Sequence, residues 1–492
     1  MAGRDDEGSS AHDWPTADQD RYPGGVPHPP LAHADQPTLQ FRAVVSGTPP
    51  PGAVPPAPTH AMPMRIGANG AAPRPAQPRR SRRGLVTAGI AVLLVVGLAV
   101  TLSLPGVSNR LALPWAPNAP TGPEPAPVTL QRSLLGPDET GQGPSASGVS
   151  AELQGVAGNP ALGSLTGSVI DPATGTVLWE RDADRPLTPA STTKLLTAAA
   201  ALLTMDHTTR LTTQVVAGDA PGSVVLVGGG DPTLSSLPEG EDSVYPGAAH
   251  LDALVAQVRA ATGGEVDTVA VDLSAYSGTA RGPGWSPEDV PSTYAAAIDS
   301  AMLDGGRTDP THGDSARVAD PAGLLAAELA QRLDARVAQP SEVSARRDAE
   351  VLGEVASAPL SQLIGTMLTD SDNVLAEAVA RQVALSTGAE PSFDGAASAT
   401  MDVLRRNGFD LAGVKLSDGS GLSVDNKIPA RLLTELLAVA AHPDETDPRT
   451  AKLRPLLAGL PVAGGTGTLD ERYDRAPAAT GKGWVRAKTG TL

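Results

Sequence analysis

The sequence predicts an α/β (α+β) protein: a body of mixed helices and strands with an inserted α/β block, preceded by a disordered tail and one membrane-crossing helix. Three observations carry this. Short apolar runs bounded by Gly and Pro alternate with stretches of helical period from residue 161 onward. The chain up to residue 83 is rich in Pro, Gly, Ala and His and has neither period, so it reads as disordered. Between the two regions stands a single uncharged apolar run, residues 84–104, of the ~20 residues a bilayer core requires.

Arg79, Arg80, Arg82 and Arg83 abut the N-terminal side of that run, and only Arg110 follows closely on the other side. The bias predicts a single-pass protein of the cell membrane, with residues 1–83 as a cytoplasmic tail and everything past the helix extracytoplasmic. A cleavable signal peptide would need a shorter apolar region and a far briefer leader. Residues 105–160, again Pro/Gly/Ser-rich, read as a semi-extended linker. The sequence names no protein partner for the tail.

Composition excludes several classes. A formal charge of −17 argues against nucleic acid, whose binding requires clustered Lys and Arg. No cysteine is present, so disulfides, thiolate metal sites and cysteine nucleophiles are excluded together. The His residues form no H-E-x-x-H or other close ligand pair, so no metal is expected. Gly228-Gly229-Gly230 is followed by Asp231-Pro232 and not by Lys-Ser/Thr, which indicates a turn after a strand and no phosphate loop; no cofactor is expected.

In the body, 166–170 and 176–179 flank the turn signal Asp171-Pro172-Ala173-Thr174-Gly175 and predict a hairpin. A helix follows at Ser191. Residues 208–357 mix strand-like runs (224–227, 268–271) with helical ones (250–261, 321–333) and read as an insertion. From 358 the chain is largely helical, until 484–489 becomes strand-like.

Three short segments carry candidate chemistry. Ser191-Thr192-Thr193-Lys194 opens an apolar helix and puts a hydroxyl and an amine on one face. A serine needs an adjacent base to become a nucleophile, and an amine serves if its pKa is lowered. In isolation the pair reads more simply as an N-cap and a cation reaching for water. Thr369-Asp370-Ser371-Asp372-Asn373 is a loop between two helical runs. It serves equally as a turn with an N-cap, or as a proton relay at Ser371 with an amide at Asn373 that binds a peptide. In Lys488-Thr489-Gly490-Thr491, alternation suggests a strand and the glycine permits close approach of a ligand backbone, while a surface strand ending in a turn is as plausible.

Taken together, S-x-x-K, S-D-N and K-T-G in this order are the motif set of penicillin-binding proteins and class A β-lactamases. The chain from about residue 161 resembles the D-alanyl-D-alanine carboxypeptidase/endopeptidase family (penicillin-binding protein 4 type). Supporting segments are 227–234 (VGGGDPTL), 371–383 (SDNVLAEAVARQV), 418–423 (DGSGLS) and 487–492. Ser191 and Ser371 stand 180 positions apart (371 − 191) and Ser371 and Lys488 stand 117 apart (488 − 371), so the extra domain lies in the first gap. A compact β-lactamase has no room for it, and no Glu-x-x-x-Asn element follows the second motif.

The resemblance implies a β-lactamase/transpeptidase-like domain of antiparallel sheet flanked by helices, in two parts, 161–207 and 358–492, around the insertion 208–357. It implies a serine-type D-Ala-D-Ala carboxypeptidase acting on peptidoglycan stem peptides and acylated by β-lactams, and it leaves open whether endopeptidase activity accompanies the carboxypeptidase. The alternatives are a serine β-lactamase and a non-catalytic, membrane-tethered wall-binding protein. Carried onto this chain, the family's roles make Ser191 the nucleophile and Lys194 its base, held neutral by burial and by the charge of Lys488. Ser371 becomes the relay and Asn373 the peptide-aligning amide. Lys488 and Thr489 bind the terminal carboxylate, with Asp372, Gly490 and Thr491 completing the substrate-binding set. The family's pattern continues past the third motif with further strands and a helix, whereas this sequence stops at Leu492.

Overall fold

The computed structural model describes residues 99–104, 107, 143–444 and 446–491. The chain divides into two units, 1–131 and 132–492. The tail predicted at 1–83 lies outside the described residues, as do 84–98 of the apolar run.

The expected transmembrane helix is overturned. Of residues 84–104, residues 84–98 lie outside the described residues and 99–103 are helical. Among the described residues no helix is long and apolar enough to cross a membrane. The longest, Asn373–Thr387, has 15 residues. The membrane partner and the single-pass placement, which followed from the expected helix alone, are withdrawn with it.

Of the linker expected at 105–160, residues 105–106 and 108–142 lie outside the described residues. Residues Ala146–Ala157 form helix α1, capped by the Ser145 hydroxyl, which accepts from Gly148 N at 3.1 Å. The segment's Ala, Leu, Glu and Gln residues are good helix formers. At its far end Arg181 donates to the Ala157 carbonyl.

Strands β1 (Gly167–Ile170) and β2 (Val177–Arg181) form the expected antiparallel hairpin, with Asp171 accepting from Ala173 N inside the turn. Strand β3 (Pro186–Leu187) leads into a 3-10 turn, Ala190–Thr193, and then helix α2, Lys194–Thr204. Residues 194–203 are all buried. A helix apolar on every side belongs in the middle of a core, and α2 is that middle.

A five-stranded sheet comes next in the chain. It contains β4 (Thr212–Ala217), β5 (Ser223–Gly228), β6 (Thr268–Asp272), β7 (Arg336–Glu342) and β8 (Val351–Ala356), in the order β7-β6-β5-β4-β8. β5-β6 and β6-β7 pair in parallel, while β4 pairs antiparallel with β5 and β8. Helices α3 (Leu251–Thr262) and α4 (Pro321–Arg332) share one apolar cluster with the sheet, in which Leu251, Leu254, Leu325 and Leu329 join Val215, Leu226 and Val269.

The chain then returns to α2 with α5 (Leu360–Thr369), α6 (Asn373–Thr387), α7 (Phe393–Arg406), β9 (Ile428–Pro429), α8 (Ala430–Ala441) and α9 (Pro448–Ala458). Strand β9 pairs with β3. Leu196 and Leu202 of α2 share one core with Ile364, Val379, Leu432 and Leu453.

The strand expected at 484–489 does not form. Gly481–Val485 closes into a turn (Val485 N to Gly481 O, 2.9 Å), and beyond it there is a single antiparallel bridge, Val462 with Arg486. Among the described residues this segment pairs with neither β1 nor β2, so the antiparallel sheet expected of the body is the two-stranded β1-β2 hairpin.

Candidate active site

Ser191 sits in the 3-10 turn just ahead of α2, after Ala190 at φ +50, a left-handed conformation that costs a non-glycine residue about 1–2 kcal/mol. Lys194 is the first residue of α2, and its Nζ is buried. It donates to Ser191 Oγ at 3.0 Å, Asn373 Oδ1 at 2.6 Å and the Ser420 carbonyl at 2.7 Å. Burial lowers the Lys194 amine to about 8, against the opposing charges of Asp418, Asp372 and Glu377. Removal from water is what makes a lysine usable as a base near neutrality.

The 418–421 turn packs directly on the Ser191 turn. Gly421 has φ +86, and a Cβ there would stand 1.9 Å from the Ala190 carbonyl oxygen. Both the conformation and the contact require glycine. Gly421→Ala is expected to destabilise the protein by more than about 1 kcal/mol and to slow acylation by displacing Ser191. A melting temperature and a penicillin-acylation rate equal to those of the parent would show that the contact is dispensable.

The second motif bridges α5 and α6. Ser371 stands in left-handed backbone, φ +59, and its Oγ accepts from Lys488 Nζ at 2.8 Å. Asn373 opens α6; its Oδ1 receives Lys194, and its Nδ2 donates to the Tyr294 carbonyl at 3.2 Å. Lys488 also donates to the Thr489 carbonyl at 2.9 Å. Burial lowers the Lys488 amine to about 7, and the charge of Lys194 pushes the same way. For Lys194 the largest cause is burial, one of the two that the family pattern suggested.

These groups meet at a cleft of about 390 Å³, lined by Ser191, Ser371, Asn373, Thr489 and Thr491, with Tyr294, Thr468, Asp370 and Arg472 completing its walls. Thr489 Oγ1 lies 3.0 Å from Thr468 Oγ1. Four expected residues do not line the cleft: Lys194 and Lys488, whose amines bond the lining hydroxyls of Ser191 and Ser371, and Gly490 and Asp372. Gly490 packs behind it, where a Cβ would come within 2.8 Å of the Pro189 carbonyl. Asp372 is buried behind the loop: one carboxylate oxygen caps α6 through Leu375 N (2.9 Å), and the other receives Tyr245 OH (2.8 Å), Arg307 Nη2 (2.7 Å) and Arg317 Nη2 (3.2 Å). Burial alone would raise this carboxyl, but the Arg317 and Arg307 guanidiniums hold it far below the usual carboxylate range.

Several groups at the site carried no assignment in the sequence. The Ser420 carbonyl is one; it lies in the DGSGLS run, whose Asp418 accepts from Gly421 N, Ser423 N, Asn426 Nδ2 and Trp285 Nε1. Tyr245, Arg307 and Arg317 are others, and no local pattern announces them, because each meets Asp372 from 55 or more positions away.

A buried lysine on a helix-initial serine, facing a second serine held by a second lysine, defines a serine enzyme of the penicillin-binding type. The chain belongs to the D-Ala-D-Ala carboxypeptidase 3 (S13) family, which it matches over residues 149–316 and 310–492. It is similar to Carboxypeptidase Rv3627c of Mycobacterium tuberculosis, 46% identical over 377 residues that cover 75% of this chain and 80% of that protein. It is also similar to Carboxypeptidase DacB of Mycolicibacterium smegmatis, 44% identical over 426 residues, 85% of this chain and 89% of the other. The crystal structure of penicillin binding protein 4 from Haemophilus influenzae shares the fold, with TM-score 0.55 and 20% identity over 67% of this chain and 85% of that one. The protein is a serine-type D-Ala-D-Ala carboxypeptidase acting on peptidoglycan.

Proposed function

We propose that Ser191 is the nucleophile of this reaction and Lys194 its general base. The observation that carries the reading is the buried Lys194 Nζ at 3.0 Å from Ser191 Oγ, beside a Lys488-Ser371 pair on the same cleft. Ser191 Oγ attacks the carbonyl carbon of the penultimate D-Ala, and its proton passes to Lys194 Nζ. The backbone N-H groups of Ser191 and Thr491 receive the oxyanion. Ser371 delivers a proton to the departing D-Ala amine as the C-N bond breaks, and Lys488 resupplies it. Thr489, Thr491 and Lys488 hold the terminal carboxylate, and Asn373 aligns the peptide while anchoring Lys194. Water then hydrolyses the Ser191 ester and returns the hydroxyl. Asp372 acts from behind, by fixing the loop that carries Ser371 and Asn373.

In this reading 161–207 and 358–492 form one catalytic body interrupted by 208–357. The support is a single apolar core joining α2 to α5–α9, and a separate one around the five-stranded sheet. Release of D-Ala from a pentapeptide, together with a long-lived penicillin adduct, tests the assignment. Rapid penicillin turnover without D-Ala release would overturn it in favour of a β-lactamase.

The two lysines make the reaction pH-dependent. The pair, at about 7 and about 8, titrates as a unit. With both protonated neither amine can act as the base, and with both neutral Lys488 no longer offers a charge to the carboxylate. The active form is the singly protonated pair with its proton on Lys488, the less populated of the two arrangements because Lys194 holds a proton the more tightly, and its population follows that of the pair, so kcat/KM is expected to rise with pH through about 7 and fall beyond about 8. A flat profile between pH 5 and 10 would remove the dyad from the mechanism.

A further inference from the structure

Glu377 lies one turn along α6 from Asn373 and is fully buried. Its Oε1 accepts from Gly419 N at 3.0 Å and Ser420 N at 2.8 Å, and its Oε2 lies 3.2 Å from Gly419 N. The carbonyl of that same Ser420 takes the hydrogen bond from Lys194 Nζ. One short stretch of backbone therefore connects a buried carboxylate on one side to the buried amine on the other.

We propose that Glu377 is a positioning residue of the acyl transfer: it fixes the 419–420 turn so that the Ser420 carbonyl steers the Lys194 amine toward Ser191, and it places a negative charge behind that amine. The inference rests on Lys194 being the base.

A carboxylate is an expensive way to satisfy two backbone N-H groups in a core, and its counter-ion is an imperfect one. Arg381 Nη1 stands 3.7 Å from Glu377 Oε2, while Arg381 Nε and Nη2 find no hydrogen-bond partner among the described residues. The guanidinium rests instead on the rings of Phe393 (4.1 Å) and Tyr276 (5.2 Å). The charge on Glu377 is thus only partly neutralised, and it is felt at Lys194. The groups bearing on the carboxylate are Asp418 from its loop and Arg381 from α6. Those bearing on the amine are Asp418, Asp372 and Glu377, together with the Lys488 amine that shares its charge interaction. Burial and the charge of Asp418 raise Glu377 to about 7, so it is ionised where Lys194 loses its proton.

The sign follows. An ionised Glu377 favours the charged amine, so removing that charge lets Lys194 become a base at lower pH. The test is the pH profile of acylation by a fluorescent penicillin, measured on the parent, Glu377→Gln and Glu377→Asp. Glu377→Gln, which keeps an acceptor oxygen for the turn, is expected to shift the acid limb about half a unit or more toward low pH. Glu377→Asp, which keeps the charge but shortens its reach, is expected to leave the limb in place and lower the maximal rate about tenfold. A Gln variant with the parental limb overturns the proposal, and so does an Asp variant with both parental limb and rate, which remains readable should Gln fail to fold. Failure of the parent itself to be acylated would instead strike at the assignment of Ser191 and Lys194.

Discussion

Ser191→Ala is expected to abolish covalent labelling by a fluorescent penicillin and to lower D-Ala release at least about a thousandfold, the scale on which loss of a nucleophile acts. The fold should persist, because among the described residues the Ser191 hydroxyl has one side-chain partner, Lys194 Nζ, and that amine keeps Asn373 and Ser420. Lys194→Ala should lose comparable activity, and the double variant little more, since a nucleophile and its base act as a unit and their deletions do not add. Persistent labelling of a cooperatively folding Ser191→Ala protein would mean that the nucleophile lies elsewhere.

Asp372→Ala should be the most damaging change to stability near the site. Its carboxylate is the shared partner of Arg307 and Arg317, whose side chains are only 4% and 2% exposed. Deleting one member of a buried ion cluster leaves the remaining charges uncompensated, at a cost of about 3–5 kcal/mol, which should lower the melting temperature by about 5 °C or more. The cap of α6 is lost as well. Because the folded-state pKa of Asp372 lies below its unfolded value, its contribution is complete above about pH 4 and fades as pH falls toward the folded value. The variant should therefore be less stable than the parent at pH 7, with the gap narrowing in acid. A melting temperature within about 1 °C of the parent at pH 7 would show that the cluster does not support the fold.

Much of this was legible in the sequence wherever the signal was local. The hairpin at 167–181 and α3, α4, α5 and α6 stand within a residue or two of their expected places, because each carries its own period and turn signal, while the helix expected at Ser191 opens as a 3-10 turn and becomes α-helical at Lys194. The convergence of Ser191, Ser371 and Lys488 was reached through motif order, since residues 117 and 180 positions apart announce no contact by spacing alone. What spacing could not supply was orientation. Asp372 has the composition of a ligand-binding residue but an N-cap geometry that turns it inward, toward arginines contributed by another part of the chain. Alternation suggests a strand at 484–489, but alternation cannot see whether a partner strand is adjacent.

Helix α2 is at once the most enclosed helix of the body and the bearer of Lys194 at its first residue. The reagent is mounted on the hub and not on a rim. Its aim is consequently as stiff as the interior itself, so that substrates must adapt to the enzyme, and wear at the periphery leaves the reactive centre in true until the whole interior gives way.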